Sequence, residues 1–119
     1  MKFYYNGNLI RTSKTHHYAY AVMEGNRVFN CSATREGCER FIQSYINESL
    51  GGIENCNKAI KALESGRNGY YHKFGRHEYY YKFDKNDTIE TFKEHINNCK
   101  ANIEYRRNNW KIVEIEERA

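Results

Sequence analysis

The densest polar cluster in the sequence is Arg11-Thr12-Ser13-Lys14 with His16 and His17: two fixed cations, two hydroxyls and two imidazoles in one connection between strands. Such a loop can grip a phosphate or a ribose through charge-assisted hydrogen bonds, and it can equally be an ordinary polar connection. A second grouping, Arg106-Arg107 with Trp110, closes a helical pattern. Cations near a helix C-terminus are favourable in their own right. Arg106, however, falls where the pattern calls for a hydrophobe, and a charge there demands exposure or an anionic partner. The third grouping, Tyr79 to Phe83, supplies rings on which a base could stack, at about 1–3 kcal/mol per base. The candidate ligand-binding residues are therefore Arg11, Lys14, His17, Arg27, Tyr81, Phe83, Arg106 and Arg107. Cations would meet phosphates and rings would meet a base.

Bond-making chemistry is not written in the sequence. Of the five histidines, only His72 and His77 could face each other across a hairpin, and no helical H-x-x-x-H pair completes a zinc site. Cys31, Cys38, Cys56 and Cys99 form no C-x-x-C pair and read as small buried hydrophobes in a reducing compartment. There is no G-x-S-x-G elbow and no local cysteine-enzyme signature. Gly51-Gly52 is not a phosphate loop, because no Lys-Ser/Thr follows. The expectation is a protein that is not an enzyme and carries no metal and no cofactor.

The elements that must position these residues are legible from periodicity. Phe3-Tyr4-Tyr5, Asn6-Gly7 and Leu9-Ile10-Arg11 make a hairpin with a type I′ turn. His17 to Met23 alternates rings with small residues, and Glu24-Gly25-Asn26 turns the chain into Arg27–Cys31. These segments predict an antiparallel meander of three to four strands. Ser32 or Thr34 is the expected N-cap of a helix whose seam runs Ile42, Ile46, Ser49, Ile53, Cys56, Ile60 and Leu63. Gly51-Gly52 interrupts it at a cost of about 1 kcal/mol per glycine, but the register holds, which predicts one long or kinked helix ending at Ser65-Gly66. Gly69 to Phe83 is a second hairpin turning at Gly75-Arg76, and Asp87-Thr88-Ile89-Glu90 is spaced as a capping box. A second seam follows through Ile89, Phe92, Ile96, Cys99, Ile103, Arg106 and Trp110, and Ile112–Ile115 alternates as a closing strand. The predicted class is α+β, a small antiparallel sheet (meander plus hairpin) with two long helices. Its order is β(2–31)–α(34–64)–β(70–83)–α(87–109)–β(111–116), in a single domain spanning 1–119. Seams this regular predict helical partners, either each other or a second subunit in a C2 homodimer or higher homo-oligomer built through the long helices.

Composition limits the partners. The 119 residues hold 19 basic and 15 acidic side chains, a net charge of +4 that leans toward small anions without reaching a nucleic-acid-scale excess. Eleven Tyr, six Phe and one Trp, with no Pro, enrich the chain in rings suited to sheet faces and binding surfaces. No stretch is long and apolar enough to span a bilayer, and the N-terminus lacks the apolar core of a signal peptide. The expected location is the cytoplasm of a bacterial host.

The opening N-G-N-L-I-R-T-S-K-x-H-x-Y-x-Y-A-V, followed by hairpin and helix, resembles small phage and prophage proteins of clostridia-like bacteria. The plan of a small antiparallel sheet with two long helices is similar to the anti-Thoeris sponge family. That resemblance implies an anti-defence protein that binds and sequesters a cyclic ADP-ribose signal without cleaving it, in a dimeric or higher assembly. It rests on size, layout and residue types, so it transfers no residue roles. The competing expectation is a protein-binding inhibitor of a bacterial defence effector, in the manner of an anti-CRISPR, because exposed Tyr, Trp and Arg anchor protein interfaces.

Overall fold

A computed structural model describes residues 1–119, which form an α+β structure of two helices and eight strands. In chain order these are β1 (Lys2–Tyr5), β2 (Asn8–Thr12), β3 (Tyr20–Glu24), β4 (Arg27–Ser32), α1 (Arg35–Glu64), β5 (Gly69–Phe74), β6 (His77–Lys82), α2 (Ile89–Asn109), β7 (Lys111–Glu114) and β8 (Glu116–Arg118). The chain builds two compact units, Met1–Tyr45 with Tyr105–Ala119 and Ile46–Glu104.

The first unit holds two three-stranded antiparallel sheets, ordered β2-β1-β8 and β4-β3-β7. The anticipated meander is thus divided: its two hairpins belong to different sheets, and each is extended by one half of the C-terminal strand. The division falls at Ile115, whose N–H leaves the β7 ladder to bond the Ala19 carbonyl at 3.0 Å. Asn6 and Gly7, at φ 50° and 78°, form the left-handed pair that Asn-Gly supplies to a type I′ turn. Both hairpins carry a bulge, between Phe3 and Tyr4 and between Val22 and Met23. Phe3, Ala21, Val22, Met23, Cys31 and Cys38 are buried in this unit. The run Ala21-Val22-Met23 is solidly apolar because β3 is the central strand of its sheet.

The second unit is formed by most of both helices and the β5–β6 hairpin. Thr34 caps α1, its Oγ1 accepting from the Gly37 N–H at 3.0 Å. The helix then runs unbroken through Gly51-Gly52. Gly52 explains itself: a Cβ there would stand 3.1 Å from Cys99 Sγ and 3.8 Å from His95 Nε2, so the glycine lets α2 approach closely. A Schellman motif ends α1, with Gly66 at φ 71°, its N–H bonding the Leu63 carbonyl and the Arg67 N–H bonding that of Ala62. Ala59 and Ala62 of α1 pack with Tyr70, Tyr81, Phe83 and Phe92. In this last part of α1 the buried positions are these alanines, each one residue before the predicted seam residues Ile60 and Leu63.

The cap of α2 is shifted by one residue from the expected Asp87–Glu90 box. Thr88 Oγ1 accepts from the Thr91 N–H at 3.2 Å, and Thr91 Oγ1 accepts from the Thr88 N–H at 3.0 Å. Asp87 is instead occupied in the preceding loop, where it accepts from the Asp84 N–H and the Tyr81 hydroxyl, both at 2.9 Å. No helix is long and apolar enough to cross a membrane.

Candidate ligand-binding site

The second unit carries an open cleft of about 840 Å³ where α1 ends and β5 begins. Its lining includes Lys58, Lys61 and Arg67 together with the rings of Tyr71 and Tyr80. Lys58 and Lys61 are three apart on one helical face, and Arg67 follows immediately after the left-handed Gly66, which turns the chain around the cleft's end.

Two features hold the aromatic wall in place. The Tyr80 hydroxyl donates to Asn68 Oδ1. The Tyr80 ring lies over Gly69, where a Cβ would stand 2.8 Å from Tyr80 Cζ and 2.2 Å from the Tyr81 carbonyl oxygen. Glycine is therefore required for this packing. Tyr71 meets Tyr80 edge to face at 5.2 Å, and the two remain 60% and 46% exposed, so ring surface is left for a ligand.

The charge balance favours an anion. Three cations stand against Glu64 and the partial negative charge of the α1 C-terminus, about half an electron charge. The Schellman bonds also occupy the carbonyls of Ala62 and Leu63, which removes two oxygens that would repel an anion.

Beneath this cleft Tyr70 lines a smaller cavity of about 320 Å³ with Gly52, Asn55, Cys56, His72, Asp87, Thr91, Phe92 and His95. Asn55, 6% exposed, pairs with the Lys73 backbone in both directions: Nδ2 donates to the carbonyl at 2.8 Å and Oδ1 accepts from the N–H at 2.9 Å. That pairing fixes the amide orientation. Its Nδ2 also faces His72 Nε2 at 3.4 Å, and His72 Nδ1 meets the Tyr70 hydroxyl at 2.7 Å. Burial pushes the Tyr70 phenol up to about 12 and the Cys56 thiol up to about 11, so neither is poised as a nucleophile at neutral pH. The other three thiols are likewise free, buried and raised by desolvation. No group of three or more His, Cys, Asp or Glu is placed to hold a metal ion.

The residues singled out from sequence fall into two sets. Arg27 and Arg106 both lie against the ring cluster built on Trp110 in the first unit, Arg27 through Phe29. Trp110 stacks on Phe29 at 4.7 Å and Phe41 at 6.0 Å and meets Tyr45 edge-on at 5.3 Å. The Arg27 guanidinium lies 4.9 Å over Phe29, and that of Arg106 lies 5.3 Å from Tyr45 and 5.4 Å from Trp110. Arg106 thus resolves its seam anomaly by stacking on rings, which accept a cation where a hydrophobe was expected. Arg107 is exposed beside it.

Arg11 lies 5.7 Å over Tyr18, Lys14 is exposed, and His17 pairs with Glu117 at 3.0 Å, so this loop is tied to β8 rather than gathered around a cavity. Tyr81 and Phe83 belong to the second unit and face its core, against Ala59, Ala62 and Tyr70. The exposed rings that line the cleft are Tyr71 and Tyr80, with the buried Tyr70 beside them. His72 stands opposite Tyr79 and His77 opposite Phe74, so the two histidines do not face each other. The K-x-x-K spacing of Lys58 and Lys61, followed by Arg67 past the Gly66 stop, was the available pointer to the cleft's cations. Comparison with family models, characterised proteins and solved structures finds no match to this chain.

Proposed function

We propose that the chain is a non-catalytic binding protein that sequesters a small anionic nucleotide, of the cyclic ADP-ribose isomer class, and so serves as a phage-type anti-defence protein. One observation carries the reading: Lys58, Lys61 and Arg67 border the same cleft as the exposed rings of Tyr71 and Tyr80. The cations suit a diphosphate, and the rings suit a base. The volume, about 840 Å³, falls in the range of sites that hold metabolites of this size.

Calorimetry with cyclic ADP-ribose isomers and cyclic dinucleotides tests it, followed by recovery of the ligand after heating. The expected result is saturable binding, release of intact ligand, and a loss of affinity of roughly tenfold or more in Lys61→Glu or Arg67→Glu. Absence of heat with every nucleotide, or release of a cleaved product, would overturn it.

A second reading, a protein-binding inhibitor of a defence effector, is favoured by Phe74 and Tyr79. They are 68% and 52% exposed on the hairpin and line no part of the cleft. Stoichiometric recovery of an effector from host lysate, unaffected by Arg67→Glu, would support it over the nucleotide.

A further inference from the structure

The β5–β6 ribbon has two edges, and they are treated differently. The Phe83 N–H bonds the Asn68 carbonyl at 2.8 Å, which marks that pair as hydrogen-bonded. In an antiparallel ladder bonded and non-bonded pairs alternate, so Tyr70–Tyr81, His72–Tyr79 and Phe74–His77 are the bonded pairs. The backbone groups of Lys73 consequently point away from β6, and these are the groups that Asn55 of α1 occupies in both directions. The β5 edge is plugged at Lys73 by a side chain acting as a strand.

The β6 edge has no such plug. By the same alternation Glu78, Tyr80 and Lys82 direct their N–H and C=O groups outward, and no other strand pairs there. Two of the usual protections are also missing. There is no proline in the chain, and this hairpin pairs without the bulge present in β1–β2 and β3–β4. Every β6 residue except Tyr81 is exposed.

We infer that β6 is a self-association edge: a second copy of this chain pairs with it antiparallel about a two-fold axis at Tyr80. Only registers that match outward-pointing residues with each other satisfy the backbone. Centred on Tyr80, all three such residues are matched. Tyr80 opposes its own copy, and Glu78 opposes Lys82 twice over, once on each side of the axis. Centring on Tyr79 or Tyr81 leaves outward groups unmatched and brings no opposite charges together. The same register sets Tyr79 against Tyr81 on the other face. Charges that would protect this edge against other strands therefore become complementary toward a second copy. The result is a four-stranded sheet in place of a two-stranded ribbon. The inference shares Tyr80 with the nucleotide cleft, but it is tested at Glu78 and Lys82, which do not line that cleft.

A charge-reversal cycle tests it, with mass measured by light scattering and equilibrium sedimentation and folding checked by circular dichroism. The wild-type chain is expected to be a dimer. Glu78→Lys and Lys82→Glu should each weaken it by roughly tenfold or more, since each turns two attractive cross-strand pairs into repulsive ones. Combining the two restores the pairs in reverse and should return the dissociation constant to within about threefold of wild type. A monomeric wild type overturns the inference. So does a dimer indifferent to either reversal, or a failure of the folded double variant to recover. Nucleotide binding by a monomer would leave the cleft reading standing while removing this one.

Discussion

Asn55 offers the sharpest quantitative test of how the second unit is held. Replacing it with alanine removes two short hydrogen bonds to the Lys73 backbone, at 2.8 and 2.9 Å, and one long contact to His72 at 3.4 Å. Each short bond contributes about 1 kcal/mol net, and the long one adds little. Lys73 is exposed, so water can reach its abandoned N–H and carbonyl, and the full penalty for a buried orphan does not apply. Asn55→Ala should therefore destabilise the fold by about 2 kcal/mol. With a urea slope of about 1–3 kcal/mol per M, the unfolding midpoint falls by about 1 M. Asn55→Asp keeps the acceptor for the Lys73 N–H but sets a carboxylate against its carbonyl, and should be at least as harmful. Native-state hydrogen exchange adds a local readout. The Lys73 amide is protected by Asn55 rather than by β6, so in Asn55→Ala it should lose protection while Tyr70 and His72 keep theirs. A loss under about 0.5 kcal/mol, or unchanged exchange at Lys73, would refute the view that this side chain caps the β5 edge.

Alkaline pH should weaken the fold. Tyr70 and Cys56 hold their protons to about 12 and about 11 in the folded chain, above their ordinary values of 10.0 and 9.0. The unfolded chain therefore releases these protons first, so the stabilisation is complete below about pH 9 and declines as pH rises toward the folded values. Melting temperature against pH, with tyrosinate absorbance to follow the phenols, should show a late-ionising group of tyrosines, since hydrogen bonds to Asp87 and Glu24 also raise Tyr81 and Tyr105. Tyr70→Phe should remove one phenol from that late group. Arg106→Ala should cost about 1–2 kcal/mol through lost stacking on Tyr45 and Trp110 and shift the emission of the single tryptophan. Unchanged stability and emission would show the guanidinium to be idle.

The helices were legible because their evidence is redundant. Thr34 at the start of α1, Ser65-Gly66 at its end and an apolar seam between them all specify the same segment. The turns were legible because Asn6-Gly7 and Gly75-Arg76 place glycine where the left-handed region is needed. Sheet membership was not. Nothing local to Ile112–Arg118 says that one half joins β3 and the other β1, because that choice is made by partners far away in the sequence, at the other end of the chain. The α2 cap slipped by one residue for a similar reason. Asp87 and Thr88 are both good caps by type, and it is the Tyr81 hydroxyl that engages Asp87 and leaves Thr88 to the helix.

The site shows where residue type stops being informative. In Tyr79-Tyr80-Tyr81 three identical rings follow one another, so period-two reading cannot say which faces the core. The decision rests on neighbours without rings. Ala59 and Ala62 provide the hollow that takes Tyr70 and Tyr81. Gly69 provides the opposite one, since the Tyr80 ring fits only where no Cβ stands. A slip of one residue would place Tyr80 on the alanines and turn Tyr79 and Tyr81 outward, stripping Tyr80 from both the cleft wall and the centre of the open edge. The small residues, rather than the aromatic ones that draw the eye, therefore set which ring is available for function.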